Sequence, residues 1–132
     1  MKAYSKEIIE HFTSYVRDGE DSFLKDNGYL ELMAVLDAIR GDDNALQFLI
    51  RAKQFELAGF ADAVVNENKS AFQMLINKKC TEWAATAGII HGDEKAISFL
   101  NSKGLGHFVQ LAMAMREIID DDKRNKRGIF GL

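Results

Sequence analysis

Apolar residues recur along this chain at helical spacing, and the clearest instance repeats. In the segment 41–50, Ala45, Leu46 and Leu49 fall at offsets that set them on one face of a helix. The same arrangement returns as Ala71, Phe72 and Leu75, and again as Ala96, Ile97 and Leu100. The anchoring alanines are 26 (71 − 45) and 25 (96 − 71) residues apart. Three positions before each stands Asp42, Asn68 or Asp93, side chains suited to accept a hydrogen bond from first-turn amides. Six positions before stand Ile39, Val65 and Ile90, each closing a preceding apolar helix. Three positions after come Phe48, Met74 and Phe99. A period of about 25 residues lies in the range of helical-repeat proteins.

The intervening segments, 29–40, 55–65 and 82–91, are apolar around most of their circumference, which predicts helices buried on several sides. Small residues such as Ala34, Gly59, Ala61, Ala84 and Gly88 would let neighbouring helices approach closely. The predicted fold is therefore all-α, a short α-solenoid of stacked antiparallel helix pairs. One domain is expected over 1–120, with pairs at 5–28, 29–53, 55–79 and 82–103 and a capping helix at 107–119. Residues 121–132 are expected to form a flexible basic tail, in which Ile129, Phe130 and Leu132 make an apolar hook able to fold back.

These repeats resemble ankyrin repeats. The stretch Ala38-Ile39-Arg40-Gly41-Asp42 followed by Ala45-Leu46-Gln47-Phe48-Leu49-Ile50 is similar to that family's middle section. So is Gly92-Asp93 followed by Ala96-Ile97-Ser98-Phe99-Leu100 and Asn101-Ser102-Lys103-Gly104. The middle copy carries Glu67 where the family has glycine, and no Thr-Pro-Leu-His opening occurs. The short period leaves little room for the projecting β-turn finger of the ~33-residue family repeat. The resemblance, over roughly 18–115, implies protein–protein recognition without catalysis or cofactor.

Composition sharpens this in a few places. The chain has no proline, so nothing of that kind interrupts a helix. Its net charge is −3, but Lys123, Arg124, Lys126 and Arg127 near the end hold four of the 17 basic residues. The remaining 13 face 20 acidic residues, a balance of −7, which argues against nucleic acid and for a partner bearing a basic patch. The single cysteine, Cys80, excludes an intramolecular disulfide, and the N-terminal segment lacks a signal-peptide core. A cytoplasmic setting is the expectation. No apolar stretch nears ~18 residues, so no membrane span and no membrane partner are expected.

Candidate chemistry is thin. His91-Gly92-Asp93-Glu94 offers potential metal ligands, but Gly92 as a helix stop and Asp93 as a cap account for it more simply. Glu7 and His11 share a helix face without a third ligand, and Cys80 has no adjacent base. Gly104-Leu105-Gly106 lacks the strand and the Gly-Lys-Ser/Thr of a phosphate loop. No catalytic, cofactor or metal residue is assigned. The expected function is a protein-binding module using the open side of the first helix of each pair, with Glu31, Asp37, Asp62, Trp83 and Thr86 as partner contacts and Lys123, Arg124, Lys126 and Arg127 as tail contacts. The alternatives are a small helical enzyme or ligand-binding protein with a pocket lined by His91, Cys80 or Glu7, and a protein that self-associates, as a homodimer for example, through Ile129-Phe130-Gly131-Leu132.

Overall fold

The computed structural model describes the backbone of residues 3–130 and the side chains of residues 3–125. Among these residues the fold is all-helical, without strands. The helices are α1 (Lys6–Asp18), α2 (Ser22–Asp26), α3 (Leu30–Ile39), α4 (Asp43–Arg51), α5 (Phe55–Asn66), α6 (Lys69–Asn77), α7 (Thr81–Ile90), α8 (Glu94–Ser102) and α9 (Gly106–Phe130).

The same local chemistry recurs at three helix starts. Asp42 Oδ1 accepts from the amides of Asn44 (2.9 Å) and Ala45 (3.4 Å), starting α4. Asn68 Oδ1 accepts from Ser70 (2.9 Å) and Ala71 (3.2 Å), starting α6. Asp93 Oδ1 accepts from Lys95 (3.0 Å), starting α8. The three side chains satisfy amides that no preceding helical turn can reach.

The far ends of the even-numbered helices repeat as closely. Gly28, Lys53, Lys79 and Gly104 all adopt the left-handed conformation, at φ 78°, 59°, 62° and 72°. The amide that follows each one donates back to a leucine carbonyl: Tyr29 to Leu24, Gln54 to Leu49, Cys80 to Leu75 and Leu105 to Leu100, all at 2.8–2.9 Å. This is the Schellman termination, which turns the chain sharply and satisfies end carbonyls. The four leucines are fully buried. At the ends of the odd-numbered helices, Glu67 takes the left-handed place (φ 50°) that Gly41 and Gly92 hold in the flanking copies.

Each pair α3–α4, α5–α6 and α7–α8 packs together. The small residues serve close approach as expected: a methyl added at Gly59 of α5 would overlap the Met74 side chain of α6. The odd-numbered helices do more. Helix α1 packs on α3, α3 on α5, α5 on α7, α7 on α9, and α9 back on α1, this last pairing being the most extensive in the molecule. They form a closed ring rather than a pile that runs open in one direction.

The ring helices are parallel. At one end, Tyr4 ahead of α1 meets Tyr29 ahead of α3 (ring centroids 6.1 Å) and Trp83 in the first turn of α7 (6.3 Å). Trp83 in turn meets Phe108 in the first turn of α9 (5.3 Å) and Phe60 of α5 (5.0 Å). At the other end, Arg40 following α3 bonds Asp122 of α9, and His91 following α7 bonds the Ala63 carbonyl of α5 at 2.9 Å. The interior between them is one continuous apolar cluster that includes Ile9, Phe12, Leu32, Phe60, Trp83 and Leu111.

One boundary moves. Helix α9 does not stop near Ile119 but continues through the acidic and basic residues to Phe130. Opposite charges one turn apart favour this, and Arg124 pairs with Asp121. The side chains of Lys126, Arg127, Ile129 and Phe130, and all of Leu132, lie outside the described residues, so the apolar hook does as well.

Candidate functional site

Ring closure decides where the expected contact residues lie. Trp83 and Thr86 are fully buried and Glu31 is nearly so. Trp83 sits amid Tyr4, Phe60 and Phe108, Thr86 donates to the Glu82 carbonyl at 2.6 Å, and Glu31 accepts from the Tyr4 hydroxyl at 3.0 Å. These three are corrected from partner contacts to internal ones, because α1 and α9 cover the face that an open stack would offer. Burial, followed by the Glu31 carboxylate, raises the Tyr4 hydroxyl pKa far above its ordinary value, so Tyr4 stays a donor.

Asp37 and Asp62 remain at the surface or partly so. Asp62 is occupied in local structure: its two oxygens accept from Asn66 (2.6 Å) and Asn68 (2.7 Å), orienting the cap of α6. Asp37 has its pKa raised, first by burial and then by the nearby Asp42 carboxylate, against a lowering by Arg40. Of the tail residues, Lys123 and Arg124 lie exposed on α9.

The groups considered for chemistry do not converge. His91 donates through Nε2 to the Ala63 carbonyl and lies 3.5 Å from Glu67 through Nδ1. It lines a 270 Å³ hollow with Ala63, Glu67, Asn68, Lys69 and Phe72. Cys80 is buried at the start of α7, and burial followed by Glu82 and Glu56 raises its thiol pKa, which opposes thiolate formation. Glu7 is 3.9 Å from His11, whose imidazole stacks on Phe23 at 3.7 Å between centroids, so that pair belongs to the α1–α2 packing. Gly104 and Leu105 form the fourth Schellman turn. No group of three His, Cys, Asp or Glu side chains able to hold a metal ion occurs among the described residues.

Two surface features stand out instead. The first is a cleft of about 540 Å³ at the carboxyl ends of the ring helices. Its apolar walls include Ile39, Val64, Val65 and Ile119, and Arg40 and Asp122 lie on its rim. Arg40 clamps Asp122 with two hydrogen bonds, Nε to Oδ2 at 3.0 Å and Nη2 to Oδ1 at 2.9 Å.

The second is on the outer helices. Phe48 of α4 and Phe99 of α8 each directly precede a fully buried leucine and are 44% and 40% exposed, with Phe72 and Ile76 of α6 between them in sequence and similarly open. An amphipathic helix with a satisfied inner face has no folding reason to hold such side chains in water. The hydrophobic pattern points to a contact face on the inner helices and leaves this one unmarked. The available signal was that Phe48 and Phe99 flank the buried leucine column by one residue and so point off the core axis. The chain matches no family model, no curated protein and no solved structure.

Proposed function

We propose that this chain is a non-catalytic protein-binding module whose helix pairs are ankyrin-like stacked repeats, curved until the first and last inner helices meet. The observation that carries the binding role is the recurrence of exposed aromatic side chains, Phe48 and Phe99, at one repeat position on the outer helices, with Phe72 and Ile76 nearby. Aromatic side chains are the commonest anchors of protein interfaces. The amino ends of α4 and α8 add exposed Asp42, Asp43, Asp93 and Glu94, so a partner with apolar residues rimmed by basic ones is the best complement. What supports the repeat reading is the recurring cap, buried leucine and left-handed terminator at intervals of 25–26 residues.

The test is capture from the host lysate by the full chain, compared with a Phe48→Ser, Phe72→Ser, Phe99→Ser variant, with identification of bound proteins. A protein held by the parent and lost by a still-helical variant supports the reading; identical capture by both removes it. Light scattering on the parent distinguishes a second copy as the partner.

The 540 Å³ cleft favours one alternative, a small-molecule site, since its size falls in the usual ligand range of about 300–1,000 Å³. Heat-stability shifts with a small-molecule panel, abolished by Val65→Asp, would favour that reading over the first.

A further inference from the structure

The parallel ring places all the even-to-odd turns at one end of the molecule. The N-terminal residues of α1, α3, α7 and α9 meet there through Tyr4, Tyr29, Trp83 and Phe108, and α5 packs beside α7. The turns leading into α5, α7 and α9 carry Arg51, Lys53, Lys78, Lys79 and Lys103, all exposed. None of the five has an ion-pair partner among the described residues. Beside them, at the first positions of α3 and α5, Leu30 and Phe55 are 53% and 52% exposed, more than any other large apolar side chain described.

We infer that this end of the ring docks on an anionic lipid surface, with Arg51, Lys53, Lys78, Lys79 and Lys103 against the headgroups and Leu30 and Phe55 dipping below them. This goes beyond the protein-binding reading and uses none of the residues that carry it. Three observations favour lipid over an acidic protein. The turns lead into the parallel ring helices, so their tips gather at one end of the molecule, where a surface could meet them together. The 540 Å³ cleft and the 270 Å³ hollow are lined by none of these tips, so neither would seat a peptide here. The two most exposed apolar side chains stand among bases that have no ion-pair partner among the described residues, Lys103 lying over the Phe99 ring at 5.9 Å, and such a mixture lets apolar atoms enter the headgroup boundary while charge stays at the surface. Among the described residues no helix is long and apolar enough to cross a membrane, so the proposed contact is superficial.

The overall charge of −3 does not oppose this. Exposed Asp42, Asp43, Glu67, Asp93 and Glu94 lie at the opposite end of the helices. The 12 residues of α5 separate the ends by about 18 Å, beyond the ~8 Å over which charge is felt at physiological salt. The opposing carboxylates at this end are Glu7, Asp26, Glu31, Glu56 and Glu82, of which Glu7 and Asp26 are exposed, Glu56 and Glu82 half-buried and Glu31 buried against Tyr4.

The experiment is co-sedimentation of the full chain with phosphatidylcholine vesicles and with mixed phosphatidylcholine–phosphatidylserine vesicles, at low and at physiological salt. Binding to the mixed vesicles alone is expected, weakening with salt. Lys53→Glu with Lys79→Glu should reduce partitioning by at least about tenfold, since each base near an anionic surface contributes on the order of 1 kcal/mol. Phe55→Ser, at an exposed position, should reduce it severalfold and leave the salt dependence unchanged. Circular dichroism checks that each variant is folded. Absence of binding to mixed vesicles overturns the inference, as does equal binding by a folded charge-reversed variant. Binding to soluble poly-glutamate as tight as to vesicles also overturns it, in favour of an acidic protein partner.

Discussion

The left-handed residues show how a small conformational cost is carried by a repeated turn. Lys53 and Lys79 hold the backbone that Gly28 and Gly104 hold at two matching turns. A side chain there costs about 1 kcal/mol because its Cβ crowds the neighbouring carbonyl. Lys79→Gly should raise the chemical-denaturation stability by up to about 1 kcal/mol, and Gly104→Ala should lower it by a similar amount. A Cβ at Gly104 meets nothing within 4 Å, so the second effect is purely conformational. Equal stability of all three proteins would contradict the left-handed assignment. Sequence reading treated glycine as the mark of such a stop and so passed over both lysines; the determinant is the six-residue hydrogen-bond ring back to a buried leucine, which any residue able to bear the strain can close.

Asp37 gives a pH dependence at the same scale. Burial and Asp42 raise its pKa in the folded chain. A carboxyl of this kind favours folding while protonated, so its contribution is complete below the ordinary Asp value of about 3.9 and is lost as pH rises through the raised one. Asp37→Asn should therefore raise the melting temperature at neutral pH, with the gain shrinking as pH falls into the ordinary carboxylate range. A gain that does not change with pH would mean the effect is not electrostatic.

At the scale of elements, the helix starts were the most legible part of the chain. Asp42, Asn68 and Asp93 were readable as caps because a short polar acceptor before an apolar face has one economical use, and each accepts first-turn amides. Asn68→Ala should destabilise the protein by about 1 kcal/mol in urea titration. The loss should exceed that of Asp93→Ala, because Asn68 also anchors Asp62 at 2.7 Å. The reverse order would deny that link any weight. The extension of α9 was less legible: a run of like charges reads as solvated tail unless the opposite charges one turn on are counted with it.

For the whole molecule, periodicity showed which face of each helix is apolar but not what covers it. Tyr4 and Trp83 are far apart in the chain, and no local pattern states that they meet. That is why Glu31, Trp83 and Thr86, correctly assigned to the inner helices, were expected at an open surface. The closed ring makes a distinct prediction. The terminal helices of an open stack fray first, whereas here α1 and α9 protect each other. Hydrogen exchange should find α1 as slow as α5. Leu111→Ala in α9, which opens a cavity at a fully buried site and costs about 2–5 kcal/mol, should accelerate exchange in α1 as well. Acceleration confined to α9 would argue against a shared seam.

The seam between α1 and α9 also bears on how such a chain could change in size. A linear array can gain or lose a unit by duplication or deletion, because each unit touches only its neighbours. Here the circumference is fixed by five helices meeting around Tyr4, Phe60, Trp83 and Phe108. A sixth would widen the centre beyond what those rings fill, and the loss of one would crowd them, so the number of helices around the centre is tied to the size of an aromatic core.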